Sequence, residues 1–187
     1  MLRSVLALVA PLGPVLGARP GLAGCLAAAW IGAVLGSLSH ELAHAFVARA
    51  RGATRVRVVV GLGPGVRIRL PWPPLHWLSL HVRLCPAAGH ARAHGPGLDG
   101  CAAAQAAIAL AGPLASLACA VALAAAVTPL PGAAASSVAG LVHWSLLDAV
   151  VFSVCGALQL VPGLGTDGSR ALHALRTLGT LGTRRQG

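Results

Sequence analysis

The chain has 187 residues, of which 56% are hydrophobic and only 10% are charged, and its mean hydropathy is +0.78. A soluble domain averages roughly 25% charged residues, so this composition is typical of a membrane protein and argues against a soluble enzyme. The formal net charge is +10, but aromatic residues make up only 3%, and the basic residues, all arginines, flank apolar segments. We therefore expect the arginines at a membrane boundary, and no nucleic-acid partner.

The first segment, residues 1–20, contains a short apolar run that Pro11 and Pro14 interrupt. Arg3 precedes this run and small residues follow it near Ala18, which is also the order found in a signal peptide. The sequence leaves both interpretations open: a short first membrane helix, or a cleaved signal.

Three later segments predict helices that cross the membrane, because each contains an apolar run of about the 20 residues that a bilayer requires. They are residues 22–50, 101–127 and 138–161, and the segment 138–167 combines the last helix with the candidate third ligand. Residues 54–84 instead alternate charged and branched apolar residues with period two, which predicts strands. Residues 87–100 are interpreted as a loop, and residues 168–187 as a polar tail with a short amphipathic helix.

The predicted fold is thus an α-helical integral membrane protein with one domain over residues 1–187. It has three core transmembrane helices, with residues 1–20 as a fourth, short helix or a signal, and a small β-sheet inserted after the helix at 22–50. Arginines concentrate in residues 49–97 and in the tail, whereas the loop 128–137 carries no charge. Because arginine marks the cytoplasmic side, we expect residues 49–97 and the C-terminus in the cytoplasm, and the chain in the cell membrane.

Residues 40–44 read H-E-L-A-H and match the H-E-x-x-H pattern of zinc hydrolases. On a helix, His40 and His44 lie on one face and can bind one metal ion, with Glu41 beside them as a base. Each ionisable group inside a membrane helix costs about 2.5 kcal/mol or more unless it has a partner. We therefore predict that His40 and His44 bind zinc and that Glu41 is the general base.

A catalytic zinc needs a third protein ligand. We favour Asp167, because it follows the last apolar run next to Pro162 and Gly168, where local unwinding could aim a carboxylate inward. His143 and Asp148 fall within the last predicted span, where structural roles are expected. The remaining candidates are expected in loops or strands, or in the tail: His76, His81, His90, His94, Asp99 and His173.

These motifs together resemble the site-2 protease family of intramembrane zinc metalloproteases. Gln159, Pro162, Asp167 and Gly168 follow the spacing of the family's N-x-x-P-x-x-x-x-D-G motif, with Gln in place of Asn. Three shorter stretches are similar to family segments, with Ser116 standing where the family has Asn: 60–66 (G-x-G-P), 85–91 (P-x-G-G) and 110–117 (G-P-x-x-N).

The resemblance implies an intramembrane zinc metalloendopeptidase that hydrolyses membrane-anchored proteins, in a minimal form without a PDZ or CBS domain. It also implies that a substrate helix unwinds and pairs with an edge strand, which we expect within residues 76–84, and that Gln159 hydrogen-bonds the substrate backbone. Two alternatives stay open. One is a proteolytically inactive zinc-binding membrane adaptor of the same fold, and the other is a zinc transporter.

Overall fold

The structure is a computed structural model that describes residues 20–69, 73–96, 98, 101–126, 138–163 and 166–184. Nearly all of the first segment, residues 1–19, lies outside these ranges, so both interpretations of it remain predictions. The helices are α1 (Pro20–Ala50), α2 (Ala102–Ala126), α3 (Val138–Leu158) and α4 (Asp167–Arg184). The strands are β1 (Arg55–Arg69) and β2 (Leu78–His94), joined by a chain that includes a 3₁₀ turn at Pro73–Leu75.

Three of the described helices are long and apolar enough to cross a membrane, as the sequence predicts: Ala23–Ala50, Ala102–Ala125 and Val138–Leu158. The predicted last span, 138–161, is close to the observed α3, and the segment 138–167 is not one continuous helix. α3 ends at Leu158, and Asp167 is the first residue of the separate helix α4. Pro162 favours the break, because it has no N–H to donate to the carbonyl of Leu158 and it disfavours helical geometry in the residue before it.

Helices α1 and α3 pack closely because glycines on α1 leave room for the neighbouring backbone. A Cβ atom on Gly32 would lie 2.5 Å from the Cβ of Asp148, and one on Gly36 would lie 2.6 Å from the Cβ of Phe152. Small residues at such a contact allow helix backbones to approach each other, as is common in membrane bundles. Helix α2 packs against both α1 and α3, and α4 packs against α2.

The sheet consists of the two strands β1 and β2, which bend and pair more than once: residues 55–60 run antiparallel to 89–94, and residues 66–69 run antiparallel to 79–82. Gly61 and Gly63 have φ values of 95° and 82°, which glycine adopts without strain, and they lie at the bend of β1. The bends let residues 56–60 of β1 pair with β2 on both sides, with 89–93 on one side and 78–82 on the other. Residues 79–82 are also paired on both sides, because residues 66–69 of β1 lie beyond them.

One face of the sheet is apolar and covers helix α1. Val56, Val58 and Val60 are buried there, together with Ala45 and Ala48 of the helix. Two hydrogen bonds fix the bent part of β2 along α1. Trp30 Nε1 donates to the carbonyl of Leu84 at 2.6 Å, and Ser37 Oγ donates to that of Pro86 at 3.4 Å.

The predicted β region, residues 54–84, is too short, because β2 continues to His94. The expectation of a loop over 87–100 is therefore wrong for residues 87–94. The period-two signal was present in the alternation of Ala91 and Ala93 with His90, Arg92 and His94. Alanine and glycine are poor strand formers in isolation, and here the pairing with β1 outweighs that preference.

Candidate metal centre

Helix α1 carries three buried polar side chains on adjacent positions of one turn. His40, Glu41 and His44 are 4%, 6% and 7% exposed. The two histidines lie four positions apart, so that their imidazole rings meet edge to face with centroids 4.8 Å apart. Helix geometry alone therefore brings two nitrogen donors to one point.

Asp167 completes a triangle of donor atoms. Its Oδ2 lies 3.1 Å from Nε2 of His40 and 3.1 Å from Nε2 of His44, and the two nitrogens are 3.2 Å apart. All three residues are buried, and they form the one group of three or more metal-binding side chains within the described part of the chain. This cluster could hold a metal ion, as predicted for His40, His44 and Asp167.

The partners of the other imidazole nitrogens support a metal-binding role. His44 Nδ1 lies 2.5 Å from the carbonyl oxygen of Ile108, which can only accept a hydrogen bond. Nδ1 must therefore carry a proton, and in the neutral ring Nε2 then presents a lone pair to the triangle. His40 Nδ1 has a comparable partner in Ser116 Oγ at 2.9 Å. Metal-binding histidines almost always have such a second partner.

The third ligand is fixed by the first turn of α4. The backbone N–H of Gly168 donates to the carbonyl of Gln159 at 2.8 Å, which ties the start of α4 to the end of α3. Oδ2 of Asp167 thus faces two imidazole Nε2 atoms at 3.1 Å, and these three acceptor atoms form an arrangement that a cation stabilises.

Glu41 lies beside the triangle without belonging to it. Its Oε2 is buried and has no hydrogen-bond partner among the described residues. Its Oε1 lies so close to Gly89 on β2 that a Cβ atom there would be 2.6 Å away. A buried carboxylate oxygen without a partner is costly, so this atom is expected to meet a polar ligand from the cavity in front of it.

That cavity has a volume of about 570 Å³, and its lining includes Glu41, His44 and Asp167. Residues 89–91 and 93 of β2 form another part of the lining. The rest comes mainly from α2, α4 and the residue that follows α3, including Gln105, Arg170 and Gln159. Because residues 89–94 pair with β1 on one side only within the described residues, the cavity follows an open strand edge.

The structure separates the other predicted candidates from the metal cluster. Gln159 is exposed and lines the cavity, as do His90 and His173, but none of these three belongs to the donor triangle. Asp99 lies outside the described residues. The remaining candidates also lie outside the triangle: His76, His81, His94, His143 and Asp148.

Sequence reasoning placed the edge strand wrongly and missed three contacts. Residues 79–82 are paired on both sides, so the open edge beside Glu41 is 89–94 and does not lie within 76–84. The first missed contact joins Ser116 to His40, and the second joins the Ile108 carbonyl to His44. The third joins Gly89 to Glu41. Ser116 and Gly89 lie in stretches that were singled out as motifs, whereas nothing in the sequence marks a backbone carbonyl.

A scan against models of known protein families finds none that matches the chain, and a search of curated proteins finds no significant match. The geometry of the site is therefore the basis on which its function must be argued.

Proposed function

We propose that the chain is an intramembrane zinc endopeptidase that hydrolyses peptide bonds of membrane-anchored proteins, as its resemblance to the site-2 protease family implies. One observation carries the proposal: a buried, unpartnered carboxylate oxygen of Glu41 lies next to three converging donor atoms, in the lining of an open cavity. A structural metal site is normally closed by four protein ligands, whereas a catalytic zinc site keeps one position open.

Zinc fits the donor set better than a harder ion does. Two imidazole nitrogens and one carboxylate oxygen are typical zinc ligands, whereas calcium and magnesium prefer oxygen ligands alone. Donor atoms about 2.0–2.2 Å from a tetrahedral zinc are about 3.3–3.6 Å apart. The observed separations of 3.1–3.2 Å are slightly shorter and would open a little around the ion.

In this proposal Glu41 is the general base. Zinc, when bound at His40, His44 and Asp167, supplies Lewis-acid chemistry that polarises the scissile carbonyl and acidifies water. Glu41 accepts a proton from the attacking water and later returns it to the leaving amine. Its position outside the donor triangle keeps its carboxylate available for that transfer.

The open edge of β2 gives the substrate backbone a place to bind. A peptide segment that leaves its helical conformation exposes N–H and C=O groups, and residues 89–94 can pair with them by strand addition. Gln159 lines the same cavity, and we propose that it hydrogen-bonds the substrate backbone. Because Gly89 touches Glu41, a segment paired at this edge would lie next to the base.

The proposed site lies inside the bilayer, no deeper than about its middle, since the hydrocarbon core is about 30 Å thick. From His40 to Ala50 the helix advances ten residues (50 − 40 = 10), or about 15 Å. Arg49 lies in the last turn of α1 and Arg51 directly follows the helix, and arginines mark the cytoplasmic boundary. We propose that the chain spans the cell membrane three times within the described region, with the active site opening toward the cytoplasm.

Comparison of Glu41→Gln with His40→Ala tests the proposal. Co-expressed with tagged single-span proteins, wild type should cleave at least one of them. Glu41→Gln should retain zinc and membrane insertion but lose cleavage, by typically 100- to 10,000-fold for a missing general base. His40→Ala should lose zinc as well. A wild-type cellular phenotype from Glu41→Gln, with loss of that phenotype in His40→Ala, would favour the inactive zinc-binding adaptor instead.

A further inference from the structure

The sheet has a basic face opposite the apolar face that covers α1. Directly paired residues share one face of a sheet, and Arg57 pairs with Arg92 while Arg55 pairs with His94. Arg67 and Arg83 occupy the same face by alternation along their strands. All of these arginines are exposed except Arg83, which is half-buried.

Among the described residues, this face carries no acidic side chain. The chain has four acids in all, of which Glu41, Asp148 and Asp167 lie on the helices and Asp99 lies outside the described residues. Within the described ranges, the ion pairs involve Asp167 with His40, His44 and Arg170 and include none of the sheet arginines. Like charges directly opposite each other destabilise a strand pair, so the Arg57–Arg92 pair favours an anionic partner.

The arginines of this face contribute to lowering the pKa values of two histidines. Burial lowers the pKa of His81, and Arg57, Arg67 and Arg83 lower that pKa further. Burial likewise lowers the pKa of His90, with additional contributions from Arg92, Arg83 and Arg57. A second cation is thus disfavoured at both positions, and by the same electrostatics an anion is favoured there.

The basic face continues onto the open edge beside Glu41. His90 and Arg92 point to this face from the edge strand, whereas Ala91 and Ala93 point to the other. A strand added at the edge would alternate in the same way. Its residues opposite His90 and Arg92 would meet the basic face. Its residues opposite Ala91 and Ala93 would meet small apolar side chains, near Leu98 and Ile108 of the cavity wall.

We propose that the site selects substrate segments in which acidic residues alternate with apolar ones, with the acidic side chains on the Arg57–Arg92 face. The inference rests on the proposed function, whose substrate class it specifies. An anionic lipid surface is a different partner for the same charges. The geometry favours a peptide, because His90 and Arg92 belong to the strand that lines the cavity and adjoins the base.

The test measures binding and does not require cleavage. The full-length chain carrying Glu41→Gln is placed in nanodiscs of neutral lipid and titrated with two fluorescent peptides. One alternates Glu with Val, and the other has Gln in place of each Glu. With three acidic positions, the Glu peptide should bind about tenfold tighter at low salt, and the difference should shrink as salt is added.

Arg92→Gln should reduce this ratio by about two- to fivefold, and Arg92→Glu should reduce it further. Arg51→Gln removes the same charge from an exposed turn outside the sheet and should leave the ratio unchanged.

Equal binding of the two peptides, no binding of either, or the same ratio in Arg92→Gln as in Arg51→Gln would overturn the inference. A ratio near one, with fewer anionic lipids copurifying with the detergent-extracted chain in Arg92→Gln than in Arg51→Gln, would assign the face to the membrane. If the chain with Glu41 intact cleaves nothing while the ratio behaves as expected, the proposed function fails and the preference for acidic segments stands.

Discussion

Gly89 and Glu41 are in direct contact across the interface between the sheet and helix α1. A Cβ atom on residue 89 would lie 2.6 Å from Oε1 of Glu41 and 3.0 Å from its Cδ. The edge strand can approach the carboxylate this closely only because residue 89 has no side chain. The strand proposed to hold the substrate and the residue proposed to act as base are therefore adjacent, and the position of each depends on the other.

Gly89→Ala should reduce cleavage while leaving the metal bound. The added methyl group must displace either the strand or the Glu41 side chain, and displacement of a catalytic group by about 1 Å can cost about 100-fold in rate. Steady-state cleavage and zinc content, measured on the same preparation, check this expectation. Gly163→Ala is the control, because its Cβ would meet its nearest neighbour at an ordinary 3.6 Å. Equal activity of the two variants would contradict the prediction.

Ser116→Ala should weaken metal binding without changing the ligands themselves. Ser116 is fully buried, and its hydroxyl holds Nδ1 of His40 at 2.9 Å. Loss of such an outer partner costs typically 10- to 100-fold in metal affinity. Competition with a chelator of known affinity gives the measurement. Ser145→Ala is the matched control, since this buried hydroxyl donates to the Leu141 carbonyl of its own helix, and it should leave the affinity unchanged.

The helices were predictable from the sequence because long apolar runs have few alternatives in a membrane. The motif at His40–His44 was also predictable, since its spacing alone aligns two imidazoles on a helix. The end of β2 was not predictable, because residues 87–94 are rich in alanine and glycine and form a strand only when paired with β1. The contacts of Ser116 and Ile108 depend on how α2 packs against α1, which no local pattern encodes.

Asp167→Asn should lower the zinc content of the purified chain, which wild type should carry at about one ion per molecule. The amide is neutral and a poorer ligand than the carboxylate, and two imidazoles alone bind zinc weakly. Metal analysis after removal of loosely bound ions checks this. Asp99→Asn, at the other Asp-Gly pair of the sequence, is the informative comparison. Full zinc in Asp167→Asn with loss in Asp99→Asn would identify Asp99 as the ligand.

Gly112→Ala should remove the metal while preserving the helix. A Cβ atom on Gly112 would collide with Nε2 of His44 and would lie 2.7 Å from Nε2 of His40. The methyl group would therefore press on the two nitrogens proposed to bind the ion. Alanine is a better helix former than glycine by about 1 kcal/mol, so the helical content measured by circular dichroism should be retained. Ala118→Gly lies at an exposed position of the same helix and lowers helix propensity where Gly112→Ala raises it. This variant should retain the zinc content of wild type. Full zinc content in Gly112→Ala would show that the ion does not bind at these two nitrogens, and would contradict the metal centre as a whole.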